Sequence, residues 1–369
     1  MVDFLRVGLL FVFGINLALL CLTLLNTRLL VRPRFKPTTR SVAVLIPARN
    51  EQDNIEAATR SALESVGLEN FTVMVFDDHS QDRTREILHS IHDDRLQVLL
   101  PEQETPQGWL GKPWACHVLS THATAEILVF LDADVVVEPE AIASAVAALE
   151  SQGLDFVSPY PKQVAVGILG RLIQPLLQWS WLTFVPLGIA KRSQRPSLAV
   201  ANGQFIACRR EAYVNVGGHE RVAHEVIEDV ALLRAFLAAG YRGTVIDGTH
   251  LATCTMYQSN SDLVNGYAKS LWTAFGGIVG SVFVNLFLLT LFTVPAVLLF
   301  SSHWPIALAT LLLNVAGRFV VARTPKQRHF PDVFLHPLSI ALLAVLNVIS
   351  WSRHLRKRNT WKGRPIEVG

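Results

Sequence analysis

The chain has 369 residues, of which 50% are hydrophobic and only 17% are charged, and its mean hydropathy is +0.33. Because soluble proteins carry about a quarter charged residues, this composition argues against an ordinary soluble enzyme and excludes a disordered chain, a coiled coil and a disulfide-stapled miniprotein. The formal net charge of +3 is too small to indicate a nucleic-acid-binding protein, so we expect no nucleic-acid partner.

The first predicted element is an apolar run over residues 7–25, which is long enough to cross a bilayer. A signal peptide is the alternative, but its leading segment would carry Asp3 as well as Arg6, and no small-residue cleavage site follows. We therefore expect an uncleaved anchor over residues 1–27. The linker over residues 28–40 is basic, and the positive-inside rule places it on the cytoplasmic side. Its basic residues are Arg28, Arg32, Arg34, Lys36 and Arg40.

A polar domain follows, predicted over residues 41–272, in which strands alternate with helices. This alternation predicts an α/β fold, with a mostly parallel sheet and helices on both faces. The predicted strands are 42–46, 72–76, 96–100 and 127–131. The predicted helices are one that starts at Asn50, with Glu51 and Asp53 in its first turn, and two more over residues 82–91 and 113–123.

Acidic residues come directly after three of these strands. Glu51, together with Pro47, follows the first, while Asp77 and Asp78 follow the second and Asp132 follows the third. Open parallel sheets bind ligands at the carboxyl ends of their strands, which favours a binding site here. A turn or a helix cap is the alternative for each group taken alone.

The pair Asp132-x-Asp134 has a specific chemical use. Two carboxylates at a strand end can hold Mg²⁺ or Mn²⁺ on a diphosphate, because these ions prefer oxygen ligands and often bridge carboxylates to phosphates. The Gly- and Trp-rich loop over residues 108–114 carries Lys112, which either contacts a phosphate or is an ordinary solvated lysine.

Other nucleotide and metal sites are not indicated. The chain has neither a P-loop nor a Gly-x-Gly-x-x-Gly turn after its first strand, which argues against a P-loop NTPase and a dinucleotide oxidoreductase. The four cysteines form no Cys-x-x-Cys pair, so zinc and a disulfide framework are poorly supported and a reducing compartment is favoured. The cysteines are Cys21, Cys116, Cys208 and Cys254.

A second apolar segment covers residues 164–190 and carries Trp179 and Trp181 before the basic pair that begins at Lys191. A buried core helix is one interpretation, and a segment in the membrane interface that borders a lipid entrance is the other. A full span is disfavoured, because it would place Asp229 across the membrane from Asp132.

The pair Glu228-Asp229 heads a predicted helix over residues 230–239. One interpretation is helix capping, and the other is that Asp229 acts as a general base that takes a proton from an attacking hydroxyl.

The C-terminal region over residues 273–352 is again apolar. Spans over 277–300 and 304–321, joined by a short turn at 301–303, predict a transmembrane hairpin. A third run over residues 333–351 either spans the membrane or is re-entrant, because a full span would place its basic tail, residues 353–369, outside and against the charge rule. The basic residues that follow the hairpin are Arg323, Lys326, Arg328 and His329.

Four of these motifs, in this order, resemble those of family 2 glycosyltransferases of the GT-A fold, over residues 41–272. They are Ile46-Pro47-Ala48-Arg49-Asn50-Glu51, Asp77-Asp78-x-Ser80-x-Asp82-x-Thr84, Asp132-x-Asp134 and Glu228-Asp229. The 108–114 loop, Met256-Tyr257 with Gly266-Tyr267-x-Lys269, and the tail Trp361-Lys362-Gly363-Arg364 are similar to the membrane-bound subgroup that glycosylates hopanoids or carotenoids. Gln258 differs from the Arg that this subgroup often has after Met-Tyr.

The resemblance implies a nucleotide-diphosphate sugar donor, usually a UDP-sugar, a divalent metal, and inversion at the anomeric carbon. It also implies the site residues. Asp132 and Asp134 would hold the metal and the diphosphate, and Asp229 would be the base. The nucleoside would be held by Pro47, Glu51 and one or both of Asp77 and Asp78.

The expected function is transfer of one sugar to a membrane lipid such as a carotenoid or hopanoid, by an enzyme of the inner membrane whose catalytic domain faces the cytoplasm. No Gln-x-x-Arg-Trp element follows Asp229, so polymerisation is not expected. The alternatives are a polyprenyl-phosphate sugar transferase and a non-catalytic membrane scaffold or transport subunit.

Overall fold

The computed structural model describes residues 3–323, 330–356, 360–361 and 364–365. The chain divides into two compact units. The helical unit consists of Met1–Leu30, Ala165–Gly188 and Tyr257–Thr360, and the sheet unit consists of Val31–Val164, Ile189–Met256 and Trp361–Gly369. Of the residues singled out in the sequence, Lys326, Arg328, His329, Lys362 and Gly363 lie outside the described residues.

The sheet unit contains a mixed sheet of eight strands in the order β3-β2-β1-β4-β7-β6-β8-β5. The strands are β1 (Thr38–Ala48), β2 (Leu68–Asp77), β3 (Leu96–Leu99), β4 (Ile127–Leu131), β5 (Val135–Val137), β6 (Phe156–Gln163), β7 (Phe205–Arg209) and β8 (Gly243–Cys254). All four predicted strands are present as β1 to β4, which pair in parallel, whereas β7 is antiparallel to its neighbours. The carboxyl ends of β2, β1 and β4 therefore lie side by side, as predicted.

The helices of the sheet unit lie on both faces of the sheet, because alternate residues of each strand point to opposite sides. Val44 of β1 belongs to a buried cluster with α2 and α5, whereas Leu45 belongs to a second cluster with α4 and α10. These helices are α2 (Ile55–Leu63), α3 (Thr84–His89), α4 (Gly111–His122), α5 (Ala141–Ser151), α9 (Arg210–Asn215) and α10 (Glu228–Ala238). The predicted fold class is confirmed in the arrangement of sheet and helices.

The prediction that the first helix of this unit starts at Asn50 is wrong, since α2 begins at Ile55. Asn50 has a φ of 52°, in the left-handed region, which cannot continue a right-handed helix. Glu51 and Asp53 therefore lie in the loop that precedes α2 rather than in its first turn.

Within the described residues of the helical unit, four segments are long and apolar enough to cross a membrane: Phe4–Leu29, Gly277–Phe300, Trp304–Arg323 and Asp332–Leu355. Their helices are α1 (Phe4–Leu29), α12 (Gly277–Leu288), α13 (Val294–Val297), α14 (Trp304–Arg323) and α15 (His336–Leu355), and α11 (Asn260–Ala274) precedes them. The segment over residues 164–190 contains three short helices, α6 (Gly167–Ile173), α7 (Pro175–Phe184) and α8 (Leu187–Ala190). None of these three is as long as a membrane span.

The end of α1 is held by a buried asparagine. Asn26 is fully buried, and its amide nitrogen donates to the carbonyl oxygens of Leu182 and Val185 at 2.9 and 2.7 Å. Its amide oxygen accepts from the backbone N–H of Leu187 at 3.0 Å. This one side chain therefore satisfies three backbone groups where α7 ends and α8 begins.

Candidate active site

The loops that follow β1 and β2 are held together by hydrogen bonds. The backbone N–H of Asn50 donates to the Ser80 hydroxyl at 2.9 Å, and that of Glu51 donates to the Thr84 hydroxyl at 2.8 Å. The Asn50 side chain returns a bond, since its oxygen accepts from the N–H of Gln81 at 2.8 Å. The left-handed backbone of Asn50 turns the loop towards this partner, which fixes the position of Glu51.

Asp77 and Asp78, both buried, differ in their partners. Asp77 accepts from the Ser80 N–H at 3.1 Å and from Arg85 Nε at 3.0 Å, so its two oxygens bind the loop after β2 and the first turn of α3. Asp78 lies 3.1 Å from the His79 ring, and Arg49 donates to its backbone carbonyl at 2.5 Å. Arg85 was not identified from the sequence, because no motif relates it to Asp77.

Lys112 lies between the strand-end acids, Asp132 and Asp134, and the helix acids of α10, Glu228 and Asp229. Its Nζ lies 2.7 Å from Asp132 Oδ1 and 2.9 Å from Glu228 Oε1, and 3.4 Å from the Gly203 carbonyl. Burial opposes its charge, but the carboxylates of Asp132 and Glu228 outweigh this effect and hold the pKa of Lys112 well above its usual value. Lys112 is therefore a paired cation of the site, not an ordinary solvated lysine.

Asp134 has an oxygen that the described residues leave without a partner. Its Oδ1 is buried and accepts no hydrogen bond from them. Burial, together with the nearby charges of Asp132 and Glu51, raises the pKa of Asp134 to about 7. Cys254 lies close enough to this carboxylate to lower its pKa in part, and its sulfur accepts from Gln204 Nε2 at 2.9 Å.

The pair Asp132 and Asp134 fits a divalent cation, because an orphaned carboxylate oxygen beside a second carboxylate is the kind of ligand that Mg²⁺ and Mn²⁺ prefer. Within the described residues, no group of three or more His, Cys, Asp or Glu side chains is placed to hold a metal. The remaining ligands of such an ion would therefore have to come from a bound phosphate or from water.

Asp229 is the second residue of α10, whose N-cap residue, Ile227, makes no side-chain capping bond. Its Oδ2 accepts from the Gly203 N–H at 2.6 Å and its Oδ1 from the Val230 N–H at 2.8 Å. Burial, followed by the charge of Glu228, raises the pKa of Asp229 to about 7. A carboxylate with a pKa near neutrality suits a general base at physiological pH, and its bond to the Val230 N–H also fits the capping interpretation.

Gly203 allows these groups to approach each other. A Cβ built at this position would lie 2.9 Å from Lys112 Nζ, 3.2 Å from Glu228 Oε1 and 3.3 Å from the Asp229 Cβ. Any larger residue would therefore displace the lysine first, because its end is the closest and most flexible neighbour. Sequence reasoning missed Gly203 and the contact of Glu228 with Lys112, since neither forms a spaced motif with the strand-end acids.

The site residues predicted from the sequence fall into two groups in the sheet unit. Lys112, Asp132 and Asp134 lie with the helix acids Glu228 and Asp229, and Glu51 is close enough to act on the charges of both strand-end acids. The second group is Pro47 at the end of β1 with Asp77 and Asp78 at the end of β2.

Residues 43–217 match the sequence profile of the family described as Glycosyl transferase family 2. The chain is 25% identical over 347 residues to the 4,4'-diaponeurosporenoate glycosyltransferase of Staphylococcus haemolyticus, and the match covers 90% of each chain. The protein of the same name from Staphylococcus aureus strain USA300 is 25% identical over 346 residues, with 89% of each chain covered.

Among solved structures, the chain is similar to the mannosyltransferase PcManGT from Pyrobaculum calidifontis in complex with GDP-Man and Mn²⁺. The TM-score is 0.50 at 17% sequence identity, and the match covers 93% of this chain and 99% of the other. These matches confirm the predicted resemblance, the predicted fold and the predicted glycosyltransferase activity.

Proposed function

We propose that this chain, which carries a family 2 glycosyl transferase domain of the GT-A fold, transfers one sugar from a nucleotide-diphosphate sugar to a membrane lipid. The proposed donor is a UDP-hexose, and the proposed acceptor is a carotenoid or a hopanoid. The names of the relatives, which match over about nine-tenths of the chain, support the carotenoid, and the four apolar segments support a membrane lipid.

One observation carries the proposal: the ammonium group of Lys112 binds both Asp132 at the end of β4 and Glu228 at the start of α10. Through this contact the acids proposed for the diphosphate lie beside Asp229, which is proposed as the base. A transferase needs the base close to the groups that bind the diphosphate, because the anomeric carbon must lie between the leaving phosphate and the attacking oxygen.

In the proposed mechanism, Pro47, Glu51 and the pair Asp77 and Asp78 hold the nucleoside. Lys112 turns from the carboxylates to a diphosphate oxygen when the donor binds, which places a positive charge where the leaving group gains negative charge. A divalent cation held by Asp132 and Asp134 would supply further charge neutralisation on the diphosphate.

Asp229 orients the acceptor hydroxyl and removes its proton. The acceptor oxygen forms the new bond to the anomeric carbon as the bond to the diphosphate breaks, so a single displacement inverts that carbon. Two backbone N–H groups hold the carboxylate in place, and its raised pKa lets it take the proton near neutral pH. A carboxylate acceptor, such as the one in the relatives' name, would already be ionised and would not need this step.

The proposed location is the inner membrane, with the sheet unit in the cytoplasm. The basic linker over residues 28–40 supports this orientation by the positive-inside rule. Residues 41–272 are proposed as the catalytic domain, and residues 164–190 as a segment of the membrane interface. That segment includes Ala165–Gly188, which belongs to the same compact unit as the four candidate spans.

The test is to incubate membranes that contain the chain with several labelled nucleotide sugars and to identify labelled lipids in the extract by mass spectrometry. A labelled carotenoid or hopanoid that carries one sugar would support the proposal. A labelled polyprenyl phosphate would assign the alternative acceptor, and sugar transfer to no lipid would refute the membrane-lipid acceptor.

A further inference from the structure

Besides Asn314 and Asn347, three buried polar side chains of the helical unit have atoms without hydrogen-bond partners among the described residues. They are Arg318 of α14, His336 at the start of α15, and Gln174 between α6 and α7. Their exposed fractions are 3%, 0% and 3%. The atoms concerned are Nε of the arginine, both ring nitrogens of the histidine, and both amide atoms of the glutamine. Buried polar groups are nearly always paired, so these atoms call for an explanation.

The three side chains belong to neighbouring elements. Arg318 Nη1 donates to the carbonyl oxygen of Pro175, the residue after Gln174, at 3.3 Å. His336 is close enough to Arg318 for their charges to interact, and its ring lies 4.7 Å from that of Trp179 on α7. The three residues therefore lie where the start of α7, α14 and the start of α15 come close to one another.

The charges at this place do not balance within the described residues. Asp332 lies near Arg318, but both of its carboxylate oxygens accept hydrogen bonds from Arg171. One ion pair therefore uses the aspartate and one arginine, and the charge of Arg318 is left with a single carbonyl oxygen as its partner. A buried charge in apolar surroundings is costly unless it is paired, which indicates that an anion belongs here.

We propose that Arg318, His336 and Gln174 bind the terminal carboxylate of a long apolar chain. One negative charge balances the surplus positive charge, and the planar carboxylate matches the paired donors of a guanidinium group. The rings of Trp179 and Phe292 close around His336, at 4.7 and 5.2 Å. A carboxylate at the end of a chain fits such closed surroundings better than a phosphodiester, because a phosphodiester has a substituent on each of two sides.

This inference does not depend on the proposed function, because it concerns binding in the helical unit and can be tested without turnover. The probe is cis-parinaric acid, a fluorescent polyene fatty acid, and its uncharged methyl ester is the control ligand. Purified full chain in detergent is titrated with each, and energy transfer from tryptophan to the polyene reports binding, since Trp179 lies beside His336.

For the unmodified chain we expect saturable transfer with the acid and at least roughly tenfold weaker binding of the ester, as the loss of a charged hydrogen bond predicts. Equal binding of acid and ester would overturn the proposal. Displacement of the probe by phosphatidylglycerol at the concentration at which oleate displaces it would also overturn it, because a phosphodiester would then be the ligand. These comparisons need no variant.

Arg318→Gln should weaken binding of the acid to the level of the ester, and Arg318→Lys should keep part of the preference because it keeps the charge. Arg353→Gln is the matched control, since Arg353 lies on α15 in the same unit and bonds the side chain of Asn265 at 2.8 Å. A melting temperature unchanged from that of the unmodified chain would show that each variant is folded. Full preference for the acid in a folded Arg318→Gln variant would overturn the assignment.

Discussion

Replacing Asp229 by asparagine separates the catalytic from the structural contribution of this side chain. Asp229 accepts two backbone hydrogen bonds, from Gly203 and Val230. Asparagine keeps one carbonyl oxygen and turns an NH₂ group towards the other donor, so one bond is lost at a cost of about 1–3 kcal/mol. Removal of a buried negative charge beside Glu228 offsets part of this cost, and we expect the variant to fold.

The expected effect on the reaction is much larger. If Asp229 removes the acceptor proton, turnover should fall roughly 10²–10⁴-fold, which raises the barrier by about 3–5 kcal/mol. Affinity for the UDP-sugar should be unchanged, because the base contacts the acceptor and not the donor. The assay measures release of UDP with a hydroxyl acceptor, for which water in the absence of lipid suffices, and donor binding is measured on the same sample.

The pH profile provides an independent check. The pKa of Asp229 is raised to about 7, so below that pH the side chain is protonated and cannot accept a proton. The rate of the unmodified chain should therefore fall at least about tenfold for each pH unit below 7, and the variant should keep only the weaker dependence that Asp134, whose pKa is also about 7, contributes.

The matched control is Asp247→Asn, since Asp247 is a buried aspartate of the same unit that accepts from the Thr249 N–H at 3.1 Å outside the site. Near-normal turnover of Asp229→Asn with a hydroxyl acceptor would refute the assignment. So would an equal loss of turnover in the control.

Three further predictions concern the metal, the packing of the site and its orientation. EDTA should abolish sugar transfer, and Mn²⁺ or Mg²⁺ should restore it. The Asp134→Asn variant should remain inactive with either ion. Full activity in the presence of the chelator would exclude a metal requirement. Gly203→Ala should displace Lys112 and lower turnover roughly 10–100-fold through lost charged contacts, with little change in melting temperature, and unchanged turnover would contradict the close packing. A cysteine introduced at the exposed Glu69 should resist an impermeant thiol reagent in intact cells and react after lysis, with the unmodified chain as background, and labelling in intact cells would place the site on the wrong side.

The sequence was sufficient for the parts of the site that depend on parallel strands. Runs of β-branched residues predicted β1, β2 and β4, and because parallel neighbours end at the same edge, the proximity of Glu51 to Asp132 followed. The residues that lie on the other side of Asp132 could not be predicted from the sequence. It depends on the antiparallel strand β7, whose preceding loop brings Gln204 to accept from the Asp132 N–H at 3.0 Å.

Local backbone geometry also could not be predicted from the sequence. Asn50 fits the pattern of a helix start, and only its bonds to the loop after β2 explain why it adopts a left-handed conformation instead. Gly203 likewise looks like any loop glycine until the side chains of Lys112 and Glu228 are seen to pack against it. Such tertiary contacts leave no periodic signal in a single sequence.

The bonds of Asn26 bear on how this protein can be produced in shortened form. A usual way to obtain a soluble version of an anchored enzyme is to delete its first helix. Here that deletion would also remove the partners of the carbonyl groups of Leu182 and Val185 and of the Leu187 N–H. Three buried backbone groups would then need new partners, so expression designs that retain residues up to Leu30 and solubilise the chain with detergent follow from the structure.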